Sequence, residues 1–263
     1  MSYLMAGRLS ELDRIQLQSR VWEPAGERLL AELGDGAGRR ALDVGCGSLG
    51  WLRLLSRWVG PDGTCVGTDS DERMLTAART FVADERLAGV ELVQDDLFDS
   101  ALAAGSFDLV HARFQLAPLG RVDEQLTSYV RLLRPGGVLV LEDPDTSSWR
   151  YEPDAPACTE LIGLILESFE AAGGDFDAGR REFGLLSAAG LHPQVRAEIV
   201  ALPPGHPYLQ LPLQFAASLR PRLLGLVAVH ELDRLIGLAE AELSEPARWG
   251  MSFTLVQTWA VIG

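Results

Sequence analysis

Short apolar runs alternate with amphipathic stretches along the first half of the chain, and this pattern predicts strands separated by helices. The predicted strands are Ala41–Val44, Thr64–Thr68, Val90–Val93, Phe107–His111 and Val138–Leu141. The predicted helices are Leu49–Val59, Asp71–Val82, with Ser70 as its N-cap, and Val122–Leu133. Glycine and proline end several of these segments, and the short links favour a parallel sheet with right-handed crossovers.

The second half has a different pattern, with helices predicted at Ala157–Ala171 and Gly179–Ala189. Gln194–Leu202 alternates like a half-exposed strand, Pro203–Glu245 is leucine-rich and mostly helical, and Ser252–Ile262 is predicted as a last strand. Two helical insertions, residues 144–176 and 203–247, thus interrupt the end of the sheet. We expect them to form a lid over a ligand site; thickening of the core and a dimer interface are the alternatives.

A glycine-rich turn lies between the first predicted strand and the following helix. Residues 45–50 fit the pattern G-x-G-x-x-G, which in this context indicates a nucleotide-containing ligand. Asp43 stands two positions before the first glycine, where its carboxylate would repel the phosphates of a dinucleotide. A ligand with a sulfonium and an ammonium, such as S-adenosylmethionine, suits this carboxylate better, and the glycines permit close approach of the backbone.

Acidic residues also follow the second and third predicted strands. Asp69 ends the second strand, which is the usual place of an acid that accepts hydrogen bonds from ribose hydroxyls. Asp95 and Asp96 follow the third strand, where a carboxylate can accept from an adenine amino group. Acids after three successive strands therefore fit an adenosine with a cationic tail, and the choice between Asp95 and Asp96 stays open.

Four segments in order carry a family resemblance: Leu42-Asp43-Val44-Gly45-Cys46-Gly47, Val66-Gly67-Thr68-Asp69, Phe107-Asp108-Leu109-Val110 and Leu133-Arg134-Pro135-Gly136-Gly137. With them, residues 41–141 resemble the class I S-adenosylmethionine-dependent methyltransferases of quinone biosynthesis and natural-product tailoring. The resemblance implies an α/β fold: a Rossmann-like, doubly wound, seven-stranded sheet whose last strand is antiparallel, with helical cap insertions.

The resemblance also implies an arrangement within one domain. Residues 1–36 would form N-terminal helices that close over the cofactor, residues 37–143 the cofactor-binding core, and residues 144–263 the end of the sheet with its insertions. One departure lies in the glycine turn, because Leu49 stands where the family often has a third glycine and Gly50 follows it.

Site residues follow from the resemblance as expectations. It implies that the glycine turn lines the methionine part of the cofactor, that Asp69 holds the ribose, and that residues after the second and third strands surround the adenine. Arg14 on the N-terminal helix is a further candidate for the methionine carboxylate or the substrate, although this helix is equally explained as a solvated amphipathic one. The expected cofactor-binding residues are Tyr3, Gln18, Asp43, Gly45, Cys46, Gly47, Asp69, Ser70, Met74, Asp95, Asp96, Leu97 and Arg113.

Methyl transfer needs a general base only when the nucleophile arrives protonated. Relatives often carry a histidine after the fourth strand, but Pro118 stands there in this chain, and His111 is expected to pack inside the strand. The candidate catalytic residues are Asp143, after the fifth strand, and His206 and His230, in the second insertion. No metal is expected, because the loop after the fourth strand offers Arg113 rather than an oxygen ligand.

Composition limits the partners. The net charge is −14 and no Lys/Arg cluster interrupts it, so a nucleic-acid partner is not expected. No apolar run approaches the ~18 residues of a membrane helix, and the start of the chain lacks the pattern of a signal peptide, so a cytoplasmic location without membrane contact is expected. Three cysteines, Cys46, Cys65 and Cys158, match no zinc spacing and are interpreted as free thiols.

These observations favour a methyltransferase that acts on a small, partly apolar molecule, with O-methylation in secondary metabolism as the leading hypothesis. The enzyme is expected as a monomer or a homodimer. The alternatives are a cyclase or pericyclase that binds S-adenosylmethionine without transferring its methyl group, a non-catalytic cofactor-binding module, and a dehydrogenase. Asp43 weighs against the dehydrogenase.

Overall fold

The computed structural model describes residues 11–263, so the predicted site residue Tyr3 lies outside the described part. The strands are β1 Arg40–Val44, β2 Thr64–Asp69, β3 Val90–Gln94, β4 Phe107–Arg113, β5 Leu133–Asp145, β6 Arg150–Glu152, β7 Gln194–Glu198, β8 Ala201–Leu202, β9 Trp249–Met251 and β10 Thr254–Val261. The helices are α1 Glu11–Leu33, α2 Leu52–Val59, α3 Glu72–Asp84, α4 Leu116–Leu119, α5 Val122–Leu132, α6 Pro156–Glu170, α7 Gly179–Ala188, α8 Leu211–Ser218, α9 Arg220–Leu223 and α10 Val229–Leu243.

The main sheet has seven strands in the order β3-β2-β1-β4-β5-β10-β7. Strands β1 to β5 pair in parallel, whereas β10 runs antiparallel between β5 and β7. Every residue of β4 is buried, as expected for a central strand covered by helices on both faces. The predicted Rossmann-like sheet with an antiparallel last strand is confirmed, and the carboxyl ends of β1, β2, β4 and β5 meet at one edge.

A small antiparallel sheet, β6-β9-β8, was not predicted from the sequence. The predicted strand Gln194–Leu202 is divided: β7 joins the main sheet and β8 joins the small one. The interruption is fixed by Val200, whose N–H donates to Ser252 Oγ at 2.9 Å and whose carbonyl accepts from Ser252 N–H at 3.0 Å. An alternating pattern does not specify which sheet a strand joins, because only tertiary hydrogen bonds decide it.

The insertions pack together beside the main sheet. Helix α6 contacts α8 and α10, and their buried side chains form one apolar cluster that also contains Trp22 of α1. The Trp22 and Phe253 ring centroids are 5.4 Å apart, which ties α1 to the start of the last strand. Within residues 11–263, no helix combines the length and the apolar character needed to cross a membrane.

The starts of α2 and α3 differ from the prediction. Helix α2 begins at Leu52, not at Leu49, because residues 49–51 still belong to the turn after β1. Asp71, not Ser70, is the N-cap of α3, because its Oδ1 accepts from the backbone N–H of Arg73 at 2.8 Å. Both residues are suitable N-caps by type. The structure favours Asp71 because β2 continues through Asp69, one residue beyond the predicted strand end.

Candidate cofactor and acceptor site

A cavity of about 270 Å³ opens at the carboxyl edge of the main sheet. Its lining comes from α1, from the glycine turn after β1, from the loop after β4 and from the insertions. Its lining residues are Arg14, Ile15, Gln18, Ser19, Asp43, Gly45, Cys46, Gly47, Gly50, Asp69, Met74, Arg113, Phe114, Gln115, Ala117, Pro118, Pro144, Phe169, Phe176 and Phe215.

The glycine turn depends on backbone conformations that side chains disfavour. Gly45, Gly47 and Gly50 have φ values of 62°, 56° and 44°. A Cβ on Gly45 would overlap the amide of Gln115, and one on Gly50 would overlap the carboxylate of Asp43. Gly50 therefore serves as the third glycine of the turn. The turn forms although this glycine stands one residue later than in many family members.

Asp69 lies at the end of β2 and is hydrogen bonded to the glycine turn. Its Oδ2 accepts from Gly47 N–H at 3.0 Å, and its Oδ1 accepts from Asp71 N–H at 2.8 Å. Burial raises the pKa of this carboxyl, and the two backbone N–H groups offset part of that rise. Asp69 lines the cavity, as expected for an acid that accepts hydrogen bonds from ribose hydroxyls.

Asp43 belongs to a buried charge network beneath the turn. His111 Nδ1 lies 2.7 Å from Asp43 Oδ1, and His111 Nε2 lies 3.1 Å from Glu142 Oε2. The indole of Trp51 stacks on the imidazole with centroids 3.8 Å apart, and its backbone N–H donates to Asp43 Oδ2 at 2.6 Å. Both carboxylate oxygens of Asp43 are thus engaged by the protein itself, which the sequence did not indicate.

The network favours a positively charged histidine. Burial lowers the pKa of His111, but hydrogen bonds and charge interactions with Asp43 and Glu142 outweigh this, and the net pKa is raised. Burial raises the pKa of Glu142, and His111 and Arg113 more than reverse it, so that pKa is lowered. The negative charges of the two carboxylates are balanced by the positive charges of the imidazolium and the guanidinium. This balance lets the four side chains lie buried under the cavity.

Arg113 provides a buried donor at the edge of the cavity. Its Nη2 donates to Ser19 Oγ at 2.8 Å and to the Gly50 carbonyl at 3.4 Å. Its Nη1 lies 3.8 Å from Glu142 Oε2 and has no hydrogen-bond partner within residues 11–263. A buried guanidinium N–H without an acceptor fits the carboxylate of an amino-acid-like ligand.

The structure brings most of the expected cofactor residues together. Gln18, Asp43, Gly45, Cys46, Gly47, Asp69, Met74 and Arg113 all line the cavity. Ser70, Asp95, Asp96 and Leu97 do not. The carboxylates of Asp95 and Asp96 accept from the backbone N–H groups of Ala101 and Phe98, and Ser70 is exposed.

None of the three candidate catalytic residues lines the cavity. Asp143 is fully buried and accepts from the N–H groups of Leu116 and Ala117 at 3.3 and 2.9 Å. His206 accepts from Tyr208 N–H as a helix cap, and His230 is exposed on α10. We therefore correct the assignment: Asp143 holds the loop after β4, and both histidines lie away from the site. His111 packs inside β4 as expected.

Asp143 faces a second buried carboxyl, Glu182 of α7. Burial raises the pKa of Asp143 to about 7, against the two backbone hydrogen bonds that lower it. Burial and the neighbouring Asp143 charge raise the pKa of Glu182 well above its usual range. Glu182 therefore keeps its proton to a higher pH than an exposed glutamate does.

Sequence reasoning missed the aromatic part of the cavity. Its side chains come from the loop after β4, from α6, from the segment before α7 and from α8: Phe114, Phe169, Phe176 and Phe215. Nothing local distinguishes them from core phenylalanines, because only packing brings such distant segments together. Gln115 was missed as well, and no motif points to it.

Comparison with known proteins agrees with this geometry. A family profile described as a methyltransferase domain matches residues 41–137. Nocamycin O-methyltransferase from Saccharothrix syringae is 28% identical over 92% of this chain and 78% of its own length. Demethylmenaquinone methyltransferase from Staphylococcus aureus is 34% identical over 57% of this chain and 58% of its own length.

A solved S-adenosylmethionine-dependent methyltransferase from Aquifex aeolicus has the same fold. It has a TM-score of 0.58 at 16% identity, covering 97% of this chain and 100% of that chain. The chain is an S-adenosylmethionine-dependent methyltransferase. Its cofactor is S-adenosylmethionine. This assignment replaces two of the alternative hypotheses from the sequence, the non-catalytic cofactor-binding module and the dehydrogenase.

Proposed function

We propose that this methyltransferase transfers the methyl group to an oxygen of a small, partly apolar acceptor in natural-product metabolism. The aromatic wall of the cavity carries the proposal. The Phe169 and Phe176 ring centroids are 5.0 Å apart, and those of Phe176 and Phe215 are 5.6 Å apart, with edge-to-face angles of 67° and 84°. Such rings support one another and present an apolar surface to a planar ligand.

The acceptor would enter between this wall and the glycine turn. Phe169 belongs to α6 and Phe215 to α8, so both insertions contribute to the acceptor side. Shape and desolvation would then select a molecule with an apolar frame. Nocamycin O-methyltransferase, which aligns over most of this chain, supports oxygen as the methylated atom by its name.

The remaining lining residues fit the cofactor. We assign the ribose to Asp69, an apolar contact to Met74 and the methionine carboxylate to Arg113, whose Nη1 needs an acceptor. When bound, S-adenosylmethionine supplies a methyl group on a positively charged sulfur. The protein aligns the acceptor and keeps water out of the site.

Product analysis tests the proposed function. The enzyme is incubated with S-adenosylmethionine and a panel of hydroxylated, enolic and carboxylic aromatic natural products. We expect one S-adenosylhomocysteine released per methoxy group formed. A methyl group on carbon or nitrogen contradicts the proposal, and conversion without S-adenosylhomocysteine release favours the cyclase alternative.

Asp69→Ala is expected to weaken S-adenosylhomocysteine binding by about 10- to 100-fold, because hydrogen bonds to a charged acceptor are worth ~1.5–3 kcal/mol. Titration calorimetry measures the change. Asp62→Ala is the matched control, since Asp62 is exposed in the turn before β2 and lies away from the cavity. Equal affinity for the Asp69 variant and the control would place the ribose elsewhere.

A further inference from the structure

Strand β7 forms one edge of the main sheet, and among residues 11–263 no strand pairs with its outer side. We propose that this edge is a self-association surface, at which β7 pairs antiparallel with β7 of a second copy of the chain. The two-fold axis would pass through Ala197 and join the two main sheets into one. This inference concerns the assembly of the protein and does not depend on the proposed acceptor.

The first argument is the direction of the backbone groups of β7. Ile262, at the end of the ladder between β5 and β10, accepts from Gly136 N–H and donates to the Gly137 carbonyl, each at 2.8 Å. Successive strand residues bond to alternate sides, so the odd-numbered residues of β10 bond to β7, where they face its even-numbered residues. Val200 likewise bonds inward, to Ser252. The backbone groups that point outward are therefore those of Val195, Ala197 and Ile199.

The second argument is the side chains that these three residues carry. Val195 and Ile199 are each 51% exposed, and Ala197 is exposed between them. Natural edge strands are usually protected against pairing by charged side chains or proline. The outward row of β7 has neither, because Arg196 and Glu198 point to the opposite face, at α1. This edge therefore offers the apolar surface and the outward backbone groups that a further strand needs.

The third argument identifies a second copy as the partner strand. An antiparallel pair with its axis at Ala197 places Ala197 opposite the partner's Ala197 and Val195 opposite the partner's Ile199. Each outward residue thus meets an outward residue, so the N–H and C=O groups match. The small alanines permit close approach at the axis, and the valine and isoleucine side chains pack against each other on either side of it.

The charges of β7 are also self-complementary in this register. Arg196 lies opposite the partner's Glu198, and each of these residues binds α1 in its own chain. Arg28 Nε donates to Glu198 Oε1 at 2.9 Å, and Arg196 forms an ion pair with Glu32. Across the interface the charges would therefore alternate, in the order Arg28, Glu198, the partner's Arg196 and the partner's Glu32. An axis at Arg196 would instead place two arginines opposite each other, which their like charges disfavour.

Cysteine cross-linking tests this register. The Cα atoms of directly opposed residues in an antiparallel pair lie about 4.5–5.5 Å apart, a distance that a disulfide spans. We expect Ala197→Cys to form a covalent dimer under mild oxidation, as judged by non-reducing electrophoresis. Ala201→Cys is the matched control, since this exposed alanine and its copy would lie about 26 Å apart along the strands. The parent protein should form no covalent dimer, because Cys46, Cys65 and Cys158 are buried.

Sedimentation velocity at micromolar concentrations measures the association without a cross-link. We expect the parent protein to form a reversible dimer that dissociates on dilution. Ala197→Lys should weaken this dimer about tenfold or more, because two lysines would face each other at the axis. Ala201→Lys, the same change in β8, should keep the dissociation constant of the parent within about twofold. Both positions are exposed, so both variants should melt like the parent protein.

Two kinds of result overturn the inference. One is a parent protein that stays monomeric, or a dimer that survives Ala197→Lys. The other is linkage through Ala201→Cys in preference to Ala197→Cys, because the copies would then meet in another register or through another surface. None of these measurements involves the acceptor or the methyl donor, so their outcome is independent of that of the proposed function.

Discussion

Replacing Asp43 with alanine is expected to lower the free energy of unfolding by about 3–5 kcal/mol, as the removal of one partner from a buried ion pair does. His111 is fully buried and would lose one of its two carboxylates. The backbone N–H of Trp51 would lose its acceptor at the start of α2. Chemical denaturation measures the change, and the melting temperature should fall with it.

A matched variant separates this effect from a loss of cofactor binding. Asp62→Ala removes an exposed carboxylate and should change the free energy of unfolding by no more than about 0.5 kcal/mol. If Asp43→Ala unfolds like the parent protein but no longer binds S-adenosylhomocysteine, Asp43 acts directly on the ligand. That result would contradict the structural role assigned here.

Replacing Glu182 with glutamine is expected to stabilise the protein at pH 8 by about 1–3 kcal/mol and to change little at pH 5. Asp143 and Glu182 both have folded-state pKa values above their unfolded values. For such acids the folded state binds more protons, so stability is highest below pH ~4. The stabilising contribution of these acids is lost as the pH rises through the folded pKa of about 7 for Asp143. Glutamine needs no proton on folding, so it avoids this loss of stability at high pH, and it resembles the protonated acid at low pH.

Urea denaturation at pH 5 and pH 8 measures the difference. Glu170→Gln, at the exposed end of α6, is the control and should behave the same at both pH values. An equal destabilisation by Glu182→Gln at pH 5 and pH 8 would show that Glu182 serves packing alone. The Asp143–Glu182 pair would then contribute nothing to the pH dependence of the free energy of unfolding.

The sequence was sufficient for the main sheet and for one half of the site. Strand β1, the glycine turn and Asp69 are contiguous or follow one another at the spacing of a βαβ unit, so local order and parallel topology bring them to one edge. The same reasoning explains why Gly45, Gly47 and Asp69 were found at the cavity. Position at a strand end, however, does not fix the direction of a side chain.

Asp143 shows that limit. It lies near the carboxyl end of β5, at the correct edge, yet its carboxylate accepts from the N–H groups of Leu116 and Ala117, and Pro144 lines the cavity instead. Asp95 and Asp96 likewise accept local backbone N–H groups. Short acidic side chains after strands readily form such local bonds, and the sequence does not distinguish them from ligand-binding ones.

The sequence by itself determined a nucleotide-type glycine turn, the succession of the first five strands along the chain and the resemblance to S-adenosylmethionine-dependent methyltransferases. Only the tertiary structure decided that Asp43 pairs with a buried histidine and that four phenylalanines from distant segments line the cavity together. The physical reason is that turns and strand ends depend on neighbouring residues, whereas burial, pKa shifts and cavity walls arise from contacts between residues far apart along the chain.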